Sequence, residues 1–131
     1  MNLSNTVWIV DDDPIARLLI RKTLERVDGL DTKELNTGEE ALQEVGKVVR
    51  DSLPSPRIIL LDLNMPVMDG WEFLDAYEKR GAPLRETKIV ILTSSINPAD
   101  NEKSKSYMSV SALIHKPLTV DDVVEIMNGK T

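Results

Sequence analysis

Three stretches of this chain, Val7–Val10, Ile58–Leu61 and Ile89–Leu92, are apolar at every position and rich in Val, Ile or Leu. A strand with one face in water alternates apolar and polar residues. An unbroken apolar run instead suits a strand covered on both faces, as in a parallel sheet clothed by helices. Ala112–Ile114 is a shorter run of the same kind, and Thr32–Asn36 is a weaker strand candidate.

Helical patterns lie between these runs. Ile15–Val27 carries Ile15, Leu18, Leu19, Thr23 and Leu24 at three- and four-residue spacing, with Pro14 at its start. Gly38–Val49 repeats the pattern with Ala41, Leu42, Val45, Val48 and Val49. Trp71, Leu74 and Tyr77 mark a third helix, begun by Asp69 or Gly70 and ended near Gly81. Asn97–Met108 is mostly polar, a marginal helix whose apolar content is Ala99, Tyr107 and Met108. Val120, Val123, Val124 and Met127 mark the last helix, with Thr119 as N-cap and Asp121 and Asp122 in its first turn.

Strand–helix alternation repeated five times predicts an α/β fold with a doubly wound parallel sheet. At 131 residues the chain is too short for an eight-unit barrel, which needs about 250. The length fits one domain over residues 1–131 with its core at about 7–127, and leaves no room for a second. With 41% hydrophobic and 29% charged residues, such a domain builds its own core.

Composition removes several function classes. There is no cysteine and one histidine, so thiol chemistry, zinc fingers and histidine-rich metal clusters are excluded. Residues 1–6 lack the basic start and apolar run of a signal peptide, and no apolar run is long enough to span a membrane. Cytoplasmic residence fits these features. Sixteen Lys and Arg against twenty-two Asp and Glu give a net charge of -6, which disfavours direct nucleic-acid binding.

In an open parallel sheet the reactive groups lie beyond the carboxyl ends of the strands. Here those ends carry Asp11, Asp12 and Asp13; Asp62 followed by Asn64; Thr93, Ser94 and Ser95; and Lys116 followed by Pro117. Taken singly, each has a plain structural explanation: an aspartate after a strand caps or turns, a threonine caps, and a lysine is solvated. Taken together they supply carboxylates, a hydroxyl and an ammonium to one crevice. Clustered carboxylates raise one another's pKa, and a hard divalent cation relieves the repulsion. An ionised Asp62 is then a nucleophile for phosphoryl transfer, with Thr93 and Lys116 placed to hold phosphoryl oxygens.

The motifs Val10-Asp11-Asp12-Asp13, Leu61-Asp62-Leu63-Asn64-Met65-Pro66-Val67-Met68-Asp69-Gly70, Leu92-Thr93-Ser94 and Lys116-Pro117 resemble, in order and spacing, the receiver domain of bacterial two-component response regulators. The resemblance covers about Val7 to Met127. It implies a CheY-like, flavodoxin-like sheet of order 2-1-3-4-5 with five helices. It implies that Asp62 accepts a phosphoryl group from a sensor histidine kinase or a histidine phosphotransfer protein. It implies magnesium, with manganese as a substitute, held by Asp12 and Asp62 and the Asn64 carbonyl, with Asp11 acting mainly through water. It further implies that Thr93 and Lys116 contact the phosphoryl oxygens, that Gly70 allows the tight loop after Asp69, and that the Lys116–Pro117 bond is cis. The family's aromatic switch residue three places before the lysine is here Leu113, which alters the usual coupled movement of threonine and aromatic ring.

The implied function is a stand-alone phosphorylation switch, with slow autodephosphorylation, acting through the face of the fourth helix, fifth strand and fifth helix on a protein target or a second copy. It catalyses its own phosphorylation and dephosphorylation without being a turnover enzyme. A phosphorelay intermediate is one alternative. A small aspartyl-phosphate phosphatase is another, for which Asp11 and Asp13 show the required spacing. His115, Trp8, Trp71 and Tyr77 read as strand-end or packing residues, and Tyr107 as a candidate partner contact.

Overall fold

A computed structural model describes residues 3–129; Met1, Asn2, Lys130 and Thr131, the ends of the expected 1–131 domain, lie outside the described residues. The elements run β1 (Thr6–Val10), α1 (Pro14–Glu25), β2 (Asp31–Leu35), α2 (Gly38–Arg50), β3 (Ile58–Asp62), α3 (Gly70–Lys79), β4 (Lys88–Thr93), α4 (Pro98–Ser104), β5 (Val110–His115) and α5 (Val120–Met127). The five strands are parallel in the order β2-β1-β3-β4-β5. This is the doubly wound sheet that the strand–helix alternation predicts.

The unbroken apolar strands feed two cores. Trp8, Val10, Ile59, Leu61, Ile89 and Ile91 pack with α2 and α3 through residues such as Leu42, Val45, Phe73 and Tyr77. The alternate residues Val7, Ile9, Ile58, Leu60, Val90 and Leu92 pack with α1 and α5 through Ile20, Leu24, Val123 and Ile126. Each strand residue therefore has an apolar neighbour whichever way it points. Trp8 and Tyr77 are core residues, and the Tyr77 hydroxyl is tied to the Leu84 backbone.

Two helices depart from the sequence reading. In α1 the buried residues are Ile20 and Leu24, whereas Ile15, Leu18 and Leu19 are exposed. The segment is apolar around much of its circumference, and sheet contact selected a face turned away from the expected stripe. The helix also ends at Glu25 rather than Val27, because the Arg26 and Val27 amides turn back to Thr23 and Leu24. Helix α4 ends at Ser104, four residues before Met108. The Ser104 and Ser106 hydroxyls donate to the carbonyls of Asn101 and Lys103, which lets local side-chain bonds compete with helix continuation.

Candidate functional site

Register brings the site together. Val10 pairs with Leu61 across β1 and β3, so Asp11 and Asp62 emerge side by side. Asp62 pairs with Leu92, which sets Thr93 one step further along. Thr93 pairs with His115, and the Lys116 amide donates to the Thr93 carbonyl at 2.8 Å. Four strand ends thus deliver Asp11, Asp62, Thr93 and Lys116 to one edge.

The Lys116 ammonium lies 3.0 Å from Asp11 Oδ2 and 3.4 Å from Asp62 Oδ1. One carboxylate oxygen from each of Asp11, Asp12 and Asp62 falls within 4.8 Å of the other two. Asp11 and Asp62 are buried and Asp12 is exposed. Asp11 also accepts the Asp13 amide at 2.9 Å, and the Arg17 guanidinium braces its carbonyl at 2.7 Å. Arg17 was not legible in advance, since nothing in its spacing marks a brace.

Burial pushes the Asp62 carboxyl up, and the Asp11 charge adds to the push. Lys116 and the Asn64 amide pull it back, and the balance leaves its pKa at about 6. Burial pulls the Lys116 ammonium down, but hydrogen bonds to and charge from Asp11 and Asp62 outweigh it and leave its pKa above the ordinary value. The cluster therefore carries more negative charge than its one lysine neutralises. Its donors are hard carboxylate oxygens, a set that fits magnesium or manganese.

Thr93 is fully buried at its backbone and side chain together, and its hydroxyl accepts the Ser95 amide at 3.0 Å. A cavity of about 540 Å³ opens beside it, lined by Asn64, Asp69, Trp71, Ser95 and Asp100 among others. The Asp69 side chain caps α3, with Glu72 completing a capping box. Gly70 is needed for close approach rather than for an unusual backbone angle. A Cβ there would sit 2.7 Å from the Asp62 carbonyl oxygen. The Lys116–Pro117 bond is cis. Asp13 stands apart from the cluster as the N-cap of α1, accepting the Ile15 amide at 3.0 Å. His115 is exposed at the end of β5, outside the acidic cluster.

Fold and site define a doubly wound α/β protein with an acidic, lysine-braced crevice at the carboxyl ends of its strands. Residues 7–128 match the response regulator receiver domain, and the chain belongs to that family. It is similar to a probable methanogenesis regulatory protein, FilR2, of Methanothrix harundinacea, at 31% identity over 89% of this chain and 75% of that protein. It is 33% identical to a positive alginate biosynthesis regulatory protein of Pseudomonas aeruginosa, over 92% of this chain but 45% of that protein. Against the sensor protein EvgS of Escherichia coli it spans 9% of the relative's length. Among solved structures, a two component response regulator from Cytophaga hutchinsonii superimposes with a TM-score of 0.88 at 25% identity, covering 98% of this chain and 96% of that one. The chemotaxis protein CheY4 of Vibrio cholerae gives 0.75 at 25% identity, covering 96% and 97%. The chain is thus a receiver domain of two-component, phosphorylation-based signalling.

Proposed function

We propose that residues 1–131 act as one receiver domain, a switch whose Asp62 accepts a phosphoryl group from phosphohistidine on a sensor histidine kinase or a histidine phosphotransfer protein. The observation that carries the reading is the setting of Asp62: a buried carboxylate between the Asp11 carboxylate and the Lys116 ammonium. In the transfer a carboxylate oxygen of Asp62 bonds to phosphorus as the phosphorus–nitrogen bond of phosphohistidine breaks. The imidazole nitrogen keeps the electron pair and ends protonated. In autodephosphorylation water attacks phosphorus, phosphate departs, and the Asp62 carboxylate is restored. The domain catalyses these two steps on itself and is not a turnover enzyme.

Lys116 and the Thr93 hydroxyl hold the phosphoryl oxygens as charge moves onto them. Asp11, Asp12, Asp62 and the Asn64 carbonyl would hold magnesium, for which manganese substitutes. When bound, the ion supplies positive charge that draws phosphoryl oxygens toward the carboxylates. Before it arrives, Lys116 keeps Asp11 and Asp62 from facing each other uncompensated.

The donor docks on α1. Ile15 and Leu19 are exposed, and an apolar groove lined by Ala16, Leu19, Ile20, Pro117 and Leu118 reaches Lys116 itself. A face continuous with the acceptor site suits the protein that must reach that site. The output passes to a protein target through α4, β5 and α5, where Met108 and Val124 are exposed, and a two-fold pair of copies would use the same face. The setting is the cytoplasm, with no membrane or nucleic-acid partner.

The phosphatase alternative is disfavoured by Asp13, whose side chain is committed to the cap of α1 rather than free as a general acid. The relay alternative shares the chemistry and differs only in where the phosphoryl group goes next. The test is mass spectrometry after treatment with acetyl phosphate and magnesium. Label on Asp62, absent in Asp62→Asn, is the expected result; label mapped to Asp11, Asp12 or His115 would reject the assignment.

A further inference from the structure

One face of α3 grips the chain that follows α4. Trp71, Asp75 and Glu78 are spaced four and three apart and so form one stripe along the helix. The Trp71 ring stacks on Tyr107, with centroids 5.7 Å apart and planes 19° from parallel. Lys103 Nζ lies over the Trp71 ring at 4.7 Å. The Tyr107 hydroxyl donates to Asp75 Oδ1 at 2.7 Å, and Glu78 Oε2 accepts both the amide and the hydroxyl of Ser109. Burial and the neighbouring Asp75 carboxylate push the Tyr107 hydroxyl up to about 12, so it stays a donor across the ordinary pH range. Helix α4 has little else to hold it: it is seven residues long and buries only Ser104.

Trp71 also reaches the acceptor site. It lines the cavity that Thr93, Ser95, Asn64 and Asp100 share. That cavity separates the loop after β3 from the start of α4, and it is open space into which α4 can close.

We propose that Trp71, Asp75 and Tyr107 form a clasp made in the unphosphorylated state and opened by phosphorylation. The inference rests on Asp62 being the acceptor. A phosphoryl group draws the Thr93 hydroxyl toward it, and the segment from Thr93 to Asn97 follows. Pro98–Ser104, a short helix on that segment, tilts into the cavity. A tilt slides Tyr107 off Trp71, and its hydroxyl leaves Asp75. Residues 103–109 then separate from α3, which changes the surface around the exposed Met108. Because the clasp belongs to one state only, it must oppose phosphoryl binding, and weakening it must favour that binding by the same factor.

The test uses beryllofluoride with magnesium as a stable phosphoryl mimic, titrated into the full chain labelled with 5-fluorotryptophan. The chain has two tryptophans, so fluorine NMR gives one signal for Trp71 and one for core Trp8. Tyr107→Phe keeps the ring and loses only the bond to Asp75; Asp75→Asn weakens the same bond from the other side. The expected results are a shift of the Trp71 signal on binding and mimic affinity about threefold to tenfold tighter in both variants. If the clasp only stabilises the fold, the two variants would melt lower than wild type with mimic affinity unchanged, which overturns the inference. So does a Trp71 signal that stays in place while wild type binds the mimic. Failure of wild type to bind the mimic at all would instead overturn the role of Asp62, and the clasp with it.

Discussion

At the scale of single residues the proposed acceptor site is a balance of charges that do not cancel. Asp62 has a pKa of about 6 against an ordinary value near 3.8, with burial the larger cause and Asp11 the second. The folded state therefore holds the Asp62 proton more tightly than the unfolded chain does. That contribution to stability is present below about pH 4 and is lost as pH rises through about 6. At neutral pH the ionised Asp62 costs stability, even with Lys116 beside it. Asp62→Asn mimics the protonated group and should stabilise the metal-free protein at pH 7.5. Allowing for solvent screening through the exposed Asp12 side of the cluster, the gain is about 1–2 kcal/mol, a few degrees of melting temperature. Thermal melts across pH check it: the gap between variant and wild type should close below about pH 4. At neutral pH, magnesium should narrow the gap by stabilising wild type more than the variant. A variant that melts lower than wild type at pH 7.5 without metal would show that the Lys116 ion pair outweighs the burial and repulsion. The same cluster shows what the sequence reveals at this scale. Asp11, Asp62, Thr93 and Lys116 were legible because parallel strands must all present their carboxyl ends at one edge. Arg17 was not, since it braces a backbone carbonyl from a helix and belongs to no strand end.

Among the elements, the strands were readable and one helix face was not. Unbroken runs such as Ile58–Leu61 admit few readings, because both sides of the strand must be covered. Helix α1 is different. Ile15, Leu18, Leu19, Ile20 and Leu24 crowd its sequence, and periodicity alone does not say which of them meets the sheet. The outcome leaves Leu19 63% exposed in the middle of the helix, beside a groove that ends at Lys116. An exposed leucine contributes little to folding, so its removal separates docking from stability. Leu19→Gln keeps a good helix former and should leave the melting temperature within about 1 °C. Phosphotransfer from a histidine phosphotransfer domain that serves the wild type should slow by about tenfold, as for loss of an interface anchor. Labelling by acetyl phosphate, which needs no docking face, should stay within about twofold. Equal loss with both donors would mean that the substitution disturbs the acceptor site. No loss with either would move the docking face away from α1.

Across the whole molecule, stability is distributed unevenly, and the unevenness lies next to the proposed acceptor site. The sheet is sandwiched by two cores, one under α2 and α3 and one under α1 and α5. Helix α4 covers the sheet only lightly; Tyr107, Val110 and Leu113, all beyond its end, supply the apolar contacts there. The sequence shows half of this. The polar run from Asn97 is visibly short of apolar anchors, but the contacts that replace them join residues 31 and 32 positions apart and follow no motif. Local opening draws on regions with few buried contacts, so the segment from Ser94 to Ser109 should open well below the free energy of global unfolding. Amide hydrogen exchange of the full chain should rank β1, β3 and β4 as most protected and Ser94–Ser109 among the least. Magnesium with beryllofluoride should then split that segment. Protection should rise from Ser94 to Asn97, where the Thr93 loop is drawn toward the acceptor. It should fall from Ser106 to Ser109, where Ser109 loses Glu78 and the loop leaves α3. The strands should show no change beyond the general gain from ligand binding. A uniform rise over the whole segment would mean that α4 closes onto α3 with its far end still fastened. Phosphorylation would then tighten this side of the molecule rather than exchange one set of contacts for another.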